Sequence, residues 1–159
     1  MRGAQRGSAS DLEALFAAHW DRAHRAAYLV VHDSALAEDI AQEAFLAAVR
    51  NLDRFDRRRP FGPWLHRIVV NRAIDAARAR SHRAETAISE DVVDESEREP
   101  LDDDVLAALA QLPPDQRAVI VMRHLLGYTP GEIAHALELP RGTVNSRLRR
   151  GLDALRETL

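Results

Sequence analysis

The chain of 159 residues contains no cysteine and no lysine, and only 5% of its residues are aromatic. Without cysteine it can form neither a disulfide framework nor a thiolate metal site. Because the chain has no lysine, every permanently charged basic side chain is an arginine, whose planar guanidinium suits phosphate groups and base edges. The length itself excludes a large multidomain enzyme.

Long hydrophobic runs are missing as well. The run 26–31 is among the longest, and it falls far short of the roughly 20 apolar residues that cross a bilayer as a helix. Residues 1–10 are small and polar and resemble no secretory signal peptide, so we predict a frayed N-terminus. These features predict a chain without a membrane span that acts in the cytoplasm.

The net charge of −3 conceals an uneven distribution of charge along the chain. Residues 1–83 carry 14 arginines against 10 acidic residues, 84–104 carry 1 against 10, and 105–159 carry 7 against 5. The sequence therefore predicts two basic lobes, the N-terminal lobe (1–83) and the C-terminal lobe (105–159), joined by an acidic linker (84–104). The linker has too few apolar residues to bury itself.

Apolar residues at steps of three and four predict helices throughout both lobes, and no strand pattern competes with them. In the N-terminal lobe we predict three helices. The first begins at a cap formed by Ser10 or Asp11, and the second spans 34–51. The third spans 64–80 and follows a break at Pro60, Gly62 and Pro63. In the C-terminal lobe we predict four short helices, over 105–112, 115–126, 130–137 and 141–156. The fold class is therefore all-α.

The third helix of the C-terminal lobe has explicit start signals. Thr129, Pro130 and Glu132 supply a capping hydroxyl, a proline at the first helical position and the glutamate of a capping box. Only three residues separate this helix from the next, which predicts a helix-turn-helix whose second helix can enter a major groove. Val144, Leu148 and Leu152 share its packed face, which leaves the polar residues for DNA: Arg141, Thr143, Asn145, Ser146, Arg149 and Arg150. A merely solvated arginine face is the alternative.

Three sequence motifs carry a family resemblance. They are AEDIAQEAF at 37–45, FGPWLHRI with VNR at 61–72, and LPPDQR at 112–117 followed by EIA at 132–134 and GTV at 142–144. In this order and spacing they resemble the extracytoplasmic-function (ECF) sigma factors of the sigma-70 family, which give bacterial core RNA polymerase its promoter specificity. The resemblance covers roughly 11–83 and 106–156. It implies a region 2 helical bundle and a region 4 helix-turn-helix domain joined by a flexible acidic linker.

The resemblance also implies the binding residues. The β′ clamp helices of the polymerase would contact Asp39, Gln42, Glu43 and Phe45, and region 4 would meet the β flap. The minus-ten element, with a flipped base in an apolar slot, would contact Asn51, Phe55, Trp64, Arg67, Ile68, Asn71 and Arg72. Trp64 has the spacing of a core residue as well. The minus-thirty-five element would be bound by the six polar residues of the last helix, although Glu138 replaces a common glycine in the turn and Pro140 a common serine cap.

Several alternatives stay open. The linker either threads a basic channel of the polymerase or is a solvated tether. The chain could instead be a free-standing helix-turn-helix regulator of duplex operators, or an adaptor that binds polymerase without opening DNA. Similar sigma factors are often held by an anti-sigma protein, which makes such a partner an expectation here. The sequence has no His-Glu-x-x-His pattern and no glycine-rich phosphate loop, so we predict no catalysis, metal or cofactor.

Overall fold

The computed structural model describes residues 2–86 and 101–159, and within these ranges it contains helices and no strand, which confirms the all-α prediction. The α-helices are α1 Arg2–Gln5, α2 Ala9–Val31, α3 Ser34–Arg50, α4 Phe61–Thr86, α5 Asp103–Gln111, α6 Pro114–His124, α7 Pro130–Leu137 and α8 Arg141–Thr158. A 3₁₀ turn, Leu52–Arg54, follows α3.

Side-chain caps explain where the long helices of the N-terminal lobe begin. The hydroxyl of Ser8 accepts a hydrogen bond from the Asp11 amide, so α2 starts earlier than the predicted cap at Ser10 or Asp11. Asp33 accepts from the Leu36 amide, and α3 follows it within one residue of the predicted bounds. Helix α4 extends beyond the predicted 64–80 at both ends. Its start precedes Pro63, because proline is tolerated in a first turn.

The predicted fraying of residues 1–10 is wrong over the described residues of that segment. Helix α1 buries Ala4, and the Gln5 side-chain amide donates to the carbonyl oxygens of Leu52 and Phe55 at 2.9 and 3.1 Å. The Leu52 oxygen also accepts the 3₁₀ bond from the Phe55 amide at 3.2 Å, so the Gln5 amide ties the N-terminus to both ends of this turn. The segment is therefore fixed by a polar contact that hydrophobic periodicity does not reveal.

The core of the N-terminal lobe is built from small side chains that let three helices approach closely. Helices α2, α3 and α4 pack on one another through alanines with no exposed surface, together with Leu65, Val69 and Val70. The fully buried alanines are Ala23, Ala26, Ala27, Ala37, Ala41, Ala44, Ala48 and Ala73. Because alanines fill the space between these helices, larger apolar residues such as Phe16 of α2 and Leu46 of α3 lie outside this seam.

The first helix of the C-terminal lobe begins earlier than predicted. The Asp102 carboxylate caps α5 through the Asp104 amide, so the helix starts at Asp103 rather than at 105. Helix α4 extends to Thr86, so helical structure reaches into the predicted linker from both sides. Residues 87–100, where the predicted channel or tether falls, lie outside the described residues.

The predicted helix-turn-helix is present. Helix α7 has the predicted bounds, and its capping box is complete: the Thr129 hydroxyl accepts from the Glu132 amide, while the Glu132 carboxylate accepts from the Thr129 amide at 2.7 Å. These bonds lower the pKa of Glu132. The two unusual turn residues are accommodated, since Glu138 adopts a left-handed conformation with φ of 54° and Pro140 precedes α8 without a side-chain cap.

The two lobes pack against each other, and their buried side chains form one continuous cluster. At its centre the buried guanidinium of Arg117 donates to the carbonyl oxygens of Leu109, Ala110 and Leu112 in its own lobe and of Val30 in the last turn of α2. Carbonyls in a last helical turn lack partners within the helix. Burial lowers the pKa of Arg117 to about 10, which still leaves it charged at neutral pH.

Candidate functional site

An apolar groove lies on the N-terminal lobe between α2 and α3. It is lined by Leu12, Glu13, Phe16, Gln42, Phe45, Leu46 and Val49, and we call it the α2–α3 groove. Three of its large apolar side chains reach the surface: Phe16 is 41% exposed, Leu46 53% and Val49 36%. Clustered exposure of this kind marks a surface on which another macromolecule binds.

The four residues predicted to contact polymerase divide between the groove and its surroundings. Gln42 and Phe45 line it, although Phe45 is largely buried against the rings of Phe16 and Phe61. Asp39 is exposed on α3 outside the lining, and Glu43 forms a 3.1 Å ion pair with Arg72 of α4. The exposure of Phe16, Leu46 and Val49 could not be predicted from the sequence, because apolar residues at helical spacing predict a core.

A second candidate surface runs along α4. Trp64, Arg67, Ile68 and Asn71 stand at steps of three and four and are all partly exposed, so they share one side of the helix, which we call the α4 face. Phe55 packs at its start, with its ring centroid 4.7 Å from that of Trp64. The structure therefore brings six of the seven predicted minus-ten residues onto or next to α4, with Arg72 beside the α4 face. Trp64 is half-buried, so it combines packing with exposure.

Asn51 lies apart from the α4 face. Its side-chain amide donates to the Ala47 carbonyl oxygen at 2.8 Å and caps the end of α3. Exposed arginines lie close to it in the sequence: Arg50, Arg54, Arg57 and Arg59. Arg58 forms an ion pair with Asp56, and its hydrogen bonds to this carboxylate lower the pKa of Asp56. This basic turn was not among the predicted binding residues, although three consecutive arginines after Asp56 indicate a basic surface.

Two residues of the α4 face contact the C-terminal lobe. The Asn71 side-chain amide donates to the Ala136 carbonyl oxygen at 3.3 Å as well as to that of Arg67, and the Arg67 guanidinium forms a 3.2 Å ion pair with Glu138. Both partners lie at the end of α7 or in the turn that follows it. Local sequence patterns do not reveal these contacts, since they join residues more than 60 positions apart.

The third candidate surface is the outer side of α8. Val144 and Leu148 are buried on its inner side, and Gly151 lies so close to Ile120 of α6 that an added Cβ would overlap its side chain. Leu152 is only partly buried. Of the predicted DNA-binding residues, Arg141, Asn145, Arg149 and Arg150 are exposed and Thr143 and Ser146 partly so. Arg147 pairs with Asp115 instead, so it belongs to the packed side.

Two histidines, the buried His66 and the partly buried His32, have strongly lowered pKa values. His66 lies beneath the α4 face, where its Nδ1 atom is 3.0 Å from the Tyr128 hydroxyl, and His32 ends α2. Burial lowers the pKa of each to about 4, with the nearby charge of Arg22 adding to the effect on His66 and that of Arg117 to the effect on His32. Burial also raises the pKa of Tyr128 to about 12, so its hydroxyl stays protonated.

These histidines predict that acid destabilises the fold. An unfolded histidine has a pKa near 6.5, so between pH 6.5 and 4 the unfolded chain binds more protons, and stability falls as pH falls. We expect each histidine to contribute a slope of up to roughly 1.4 kcal/mol per pH unit in that window and none above it. Urea unfolding from pH 7.5 to 4.5 measures the slope. His66→Gln should flatten it, whereas His124→Gln, at an exposed site, should not; equal slopes for both variants would contradict the assignment.

The described residues contain neither a cluster that could hold a metal ion nor a helix that could span a membrane. Among the residues that the structure describes, no cluster of three or more histidine, aspartate or glutamate side chains could hold a metal ion. Over the same ranges no helix is both long and apolar enough to span a bilayer.

Comparison with known proteins identifies both lobes. The family model for sigma-70 region 2 matches residues 15–83, and that for sigma-70 region 4 matches residues 102–155. RNA polymerase sigma factor CarQ of Myxococcus xanthus is 35% identical and aligns with 96% of this chain and 91% of its own length. ECF RNA polymerase sigma factor SigW of Bacillus subtilis is 33% identical, with 87% and 83% covered.

Two solved structures have the same fold. CnrH, solved in complex with the cytosolic domain of CnrY, superimposes with a TM-score of 0.71 at 29% identity and covers 98% of this chain and 92% of its own. The sigma factor RpoE of Bartonella quintana, solved in complex with the anti-sigma factor NepR, has a TM-score of 0.75 at 22% identity, with 93% and 96% covered. From the two family models, the curated relatives and the shared fold it follows that the chain belongs to the ECF sigma factors of the sigma-70 family, which are transcription initiation factors.

Proposed function

We propose that this sigma factor binds core RNA polymerase through the α2–α3 groove, holds melted minus-ten DNA on the α4 face, and binds the minus-thirty-five element with α8. In this assignment residues 1–83 are the region 2 domain, 84–104 the linker and 105–159 the region 4 domain. The observation that carries the proposal is the α2–α3 groove, because an exposed apolar surface on a small monomer requires a partner.

The groove has the composition of a protein-binding surface. Phe16, Leu46 and Val49 supply an apolar centre, and the polar groups of Glu13 and Gln42 stand at its edge. Protein interfaces combine an apolar centre with a polar rim in this way. We assign the groove to the β′ clamp helices of the polymerase, with Asp39 and Glu43 as flanking polar contacts. The β flap would contact the C-terminal lobe.

The α4 face suits single-stranded DNA. The partly exposed ring of Trp64, stacked on the buried ring of Phe55, offers a surface for a base, and Asn71 adds an amide that can both donate and accept. Arg67, Arg72 and the basic turn around Asn51 supply cations for the backbone. Ile68 completes the apolar side of the slot for a base that has left the stack.

For duplex DNA the proposal rests on the outer side of α8. Arg149 and Arg150 are exposed and form no ion pair within the described ranges, which leaves both guanidinium groups available for phosphates or base edges. Asn145 and Ser146 lie one turn earlier, and Arg141 and Thr143 at the helix start, where groove-binding helices commonly contact DNA.

Arg149→Ala combined with Arg150→Ala is expected to lower transcription from the cognate promoter by about 100-fold, at ~1–3 kcal/mol per lost contact. The salt dependence of promoter binding should also become shallower by about two units of slope if both contact phosphates. Arg156→Ala is the matched control, since Arg156 is exposed on the same helix but paired with Asp153. Transcripts from reconstituted polymerase measure the effect, and equal activity of the double variant and the control would refute the role of α8.

The test of the whole proposal is genome-wide transcription in vitro. The chain is mixed with bacterial core RNA polymerase and genomic DNA, and the transcript start sites are sequenced. We expect start sites that share one pair of elements at a fixed distance upstream. Starts without shared elements, or none above the level of core enzyme alone, would contradict it.

The free-standing regulator is disfavoured, because the region 2 match over 15–83 and the α2–α3 groove would have no role in it.

We infer that this chain supplies no catalytic group and that the polymerase carries out the chemistry in the cytoplasm. The two solved relatives were captured with NepR and CnrY, which motivates an anti-sigma partner for this chain as well.

A further inference from the structure

The segment 2–8 is attached to the turn that follows α3. The Gln5 side-chain amide donates to the Leu52 carbonyl oxygen at 2.9 Å and to the Phe55 carbonyl oxygen at 3.1 Å. Both acceptors belong to the basic turn, residues 51–59 between α3 and α4. From this juxtaposition we propose that Gln5 is a positioning residue, which holds the basic turn in the conformation that binds the melted DNA strand. The inference rests on the function proposed for the α4 face and the basic turn.

Hydrogen bonds inside the basic turn are local and do not tie it to the rest of the lobe. Over the described residues, the Arg54 and Phe55 amides donate to carbonyl oxygens three positions earlier. The Arg58 amide donates to the Asp56 carboxylate at 3.0 Å. With four arginines and two aspartates, residues 51–59 carry a net charge of +2. Because repulsion among the arginines opposes a compact turn, a donor from another part of the chain stabilises it.

Gln5 binds the turn at the residue that forms part of the proposed base slot. The Phe55 ring stacks on that of Trp64 with centroids 4.7 Å apart and meets that of Phe61 edge-on at 5.9 Å. The side chain of Phe55 is therefore held by α4, and its carbonyl oxygen is held by Gln5. Exact placement of such a group matters, because a displacement of about 1 Å can lower a rate by up to about 100-fold.

A neutral amide suits this role better than an acidic group. Gln5 binds backbone carbonyl oxygens, so it leaves the guanidinium groups of the basic turn to contact phosphates. A carboxylate at this position would attract those guanidinium groups and compete with DNA for them. The other polar side chains of α1, Arg2 and Arg6 beside it, are exposed and add positive charge. The segment therefore anchors the turn without neutralising it.

The backbone of the segment is shaped to present Gln5. Gly7 has a φ of 81°, a left-handed conformation that ends α1 and turns the chain toward α2. The Ser8 amide donates to the Gly3 carbonyl oxygen at 2.9 Å and closes this turn. An added Cβ at Gly3 would overlap the Asp11 carboxylate, so α1 lies directly against the start of α2. These contacts fix α1, and Gln5 is therefore presented by a rigid segment.

Gln5→Met tests the anchor, because methionine keeps the length of the side chain and donates no hydrogen bond. The variant is combined with core RNA polymerase and a promoter taken from the sequenced start sites. The delay before steady synthesis of short transcripts, measured over a series of holoenzyme concentrations, separates initial promoter binding from strand opening. We expect the rate constant of opening to fall by about 10-fold, with core binding and initial promoter binding unchanged. Gln111→Met, at an exposed position that ends α5, is the matched control.

A second readout follows the basic turn directly in the free chain. The chain has two tryptophans, so Trp20→Phe leaves Trp64 as the source of tryptophan fluorescence. Acrylamide quenching of this fluorescence then reports how closely Phe55 covers the Trp64 ring. Gln5→Met should raise the quenching constant, and Gln111→Met should not. A contact that only added stability would leave this constant unchanged at temperatures well below unfolding.

Gly7→Ala releases the segment without altering Gln5. Over the described residues nothing lies within 4 Å of a Cβ added at Gly7, so the strain is confined to the left-handed backbone. The rate constant of opening should fall in the same direction as in Gln5→Met, by a smaller factor. Gly127→Ala is the matched control, because Gly127 has a φ of 77° and equally open surroundings in the C-terminal lobe.

Each other result overturns the inference. Equal opening rates for Gln5→Met and Gln111→Met, or for Gly7→Ala and Gly127→Ala, would mean that the segment does not position the DNA site. Equal losses of initial binding and opening would indicate general destabilisation, and an unchanged quenching constant would mean that the turn stays in place without Gln5. Failure of the unaltered holoenzyme to open any promoter would contradict the proposed function and this inference with it, whereas normal opening by every variant overturns the inference alone.

Discussion

Leu46→Glu is expected to weaken binding of the chain to core RNA polymerase by about 100-fold, which corresponds to ~3 kcal/mol and is typical of a residue at the centre of an interface. Leu46 is 53% exposed in the α2–α3 groove and makes no contribution to the alanine seam between the helices. A carboxylate at this position would have to be buried without a partner when the polymerase closes over it. The cost therefore falls on the complex and not on the free chain.

The measurement is analytical gel filtration of the chain with core enzyme, followed by titration of a labelled chain. Leu159→Glu is the matched control, since Leu159 is 64% exposed at the end of the chain and lies outside the groove. Circular dichroism should show the same helix content for both variants, because exposed substitutions rarely change stability by more than ~0.5 kcal/mol. Undiminished co-elution of Leu46→Glu would remove the groove from the polymerase interface.

Arg117→Met is expected to lower the free energy of unfolding by about 4 kcal/mol, because the carbonyl oxygens of Val30, Ala110 and Leu112 lose their guanidinium donor and each unsatisfied group costs ~1–3 kcal/mol before relaxation. The Leu109 oxygen also loses this donor but keeps the bond from the Leu112 amide. Small domains are stable by only about 5–15 kcal/mol in total. Three of the four carbonyls belong to the C-terminal lobe itself, at Leu109, Ala110 and Leu112. The variant should therefore loosen that lobe as well as its attachment to α2.

Urea unfolding followed by circular dichroism measures this loss. Arg123→Met is the control on the same helix, because Arg123 donates only to the Tyr128 carbonyl oxygen and is exposed. Arg117→Lys separates charge from geometry, since an ammonium group cannot supply the planar fork that reaches several carbonyls. If the urea midpoints of unfolding of Arg117→Met and Arg123→Met were equal, the Arg117 guanidinium would not stabilise the fold.

Local sequence patterns predicted the helices well, and they separated the packed side of α8 from its exposed side. The capping box at Thr129 and Glu132 marks the start of α7 unambiguously, and the alternation of Val144 and Leu148 with polar residues separates the two sides of α8. These features depend on residues within one or two helical turns of each other. Periodicity and caps are therefore sufficient to predict them.

Features that depend on distant residues were not predictable in the same way. Arg117 appears in the sequence as one more arginine, and only packing reveals that it reaches Val30. The exposure of Leu46 was not predictable, because a helical pattern does not distinguish a leucine in the core from one in a groove. The contact of Asn71 with Ala136 joins two lobes across the acidic linker, whose composition carries no information about how they dock.

The continuous core shared by the lobes has a consequence for the turnover of the protein in the cell. A lobe of about 55 residues buries a small share of its surface and is marginally stable by itself, so the C-terminal lobe depends on its docking against α2 and α4. Proteases cleave segments that open transiently, at a rate set by the open population. A free chain is therefore protected while it is closed and exposed when it opens without a partner. We therefore expect the lifetime of the free chain to rise with the fraction of time that its lobes stay docked.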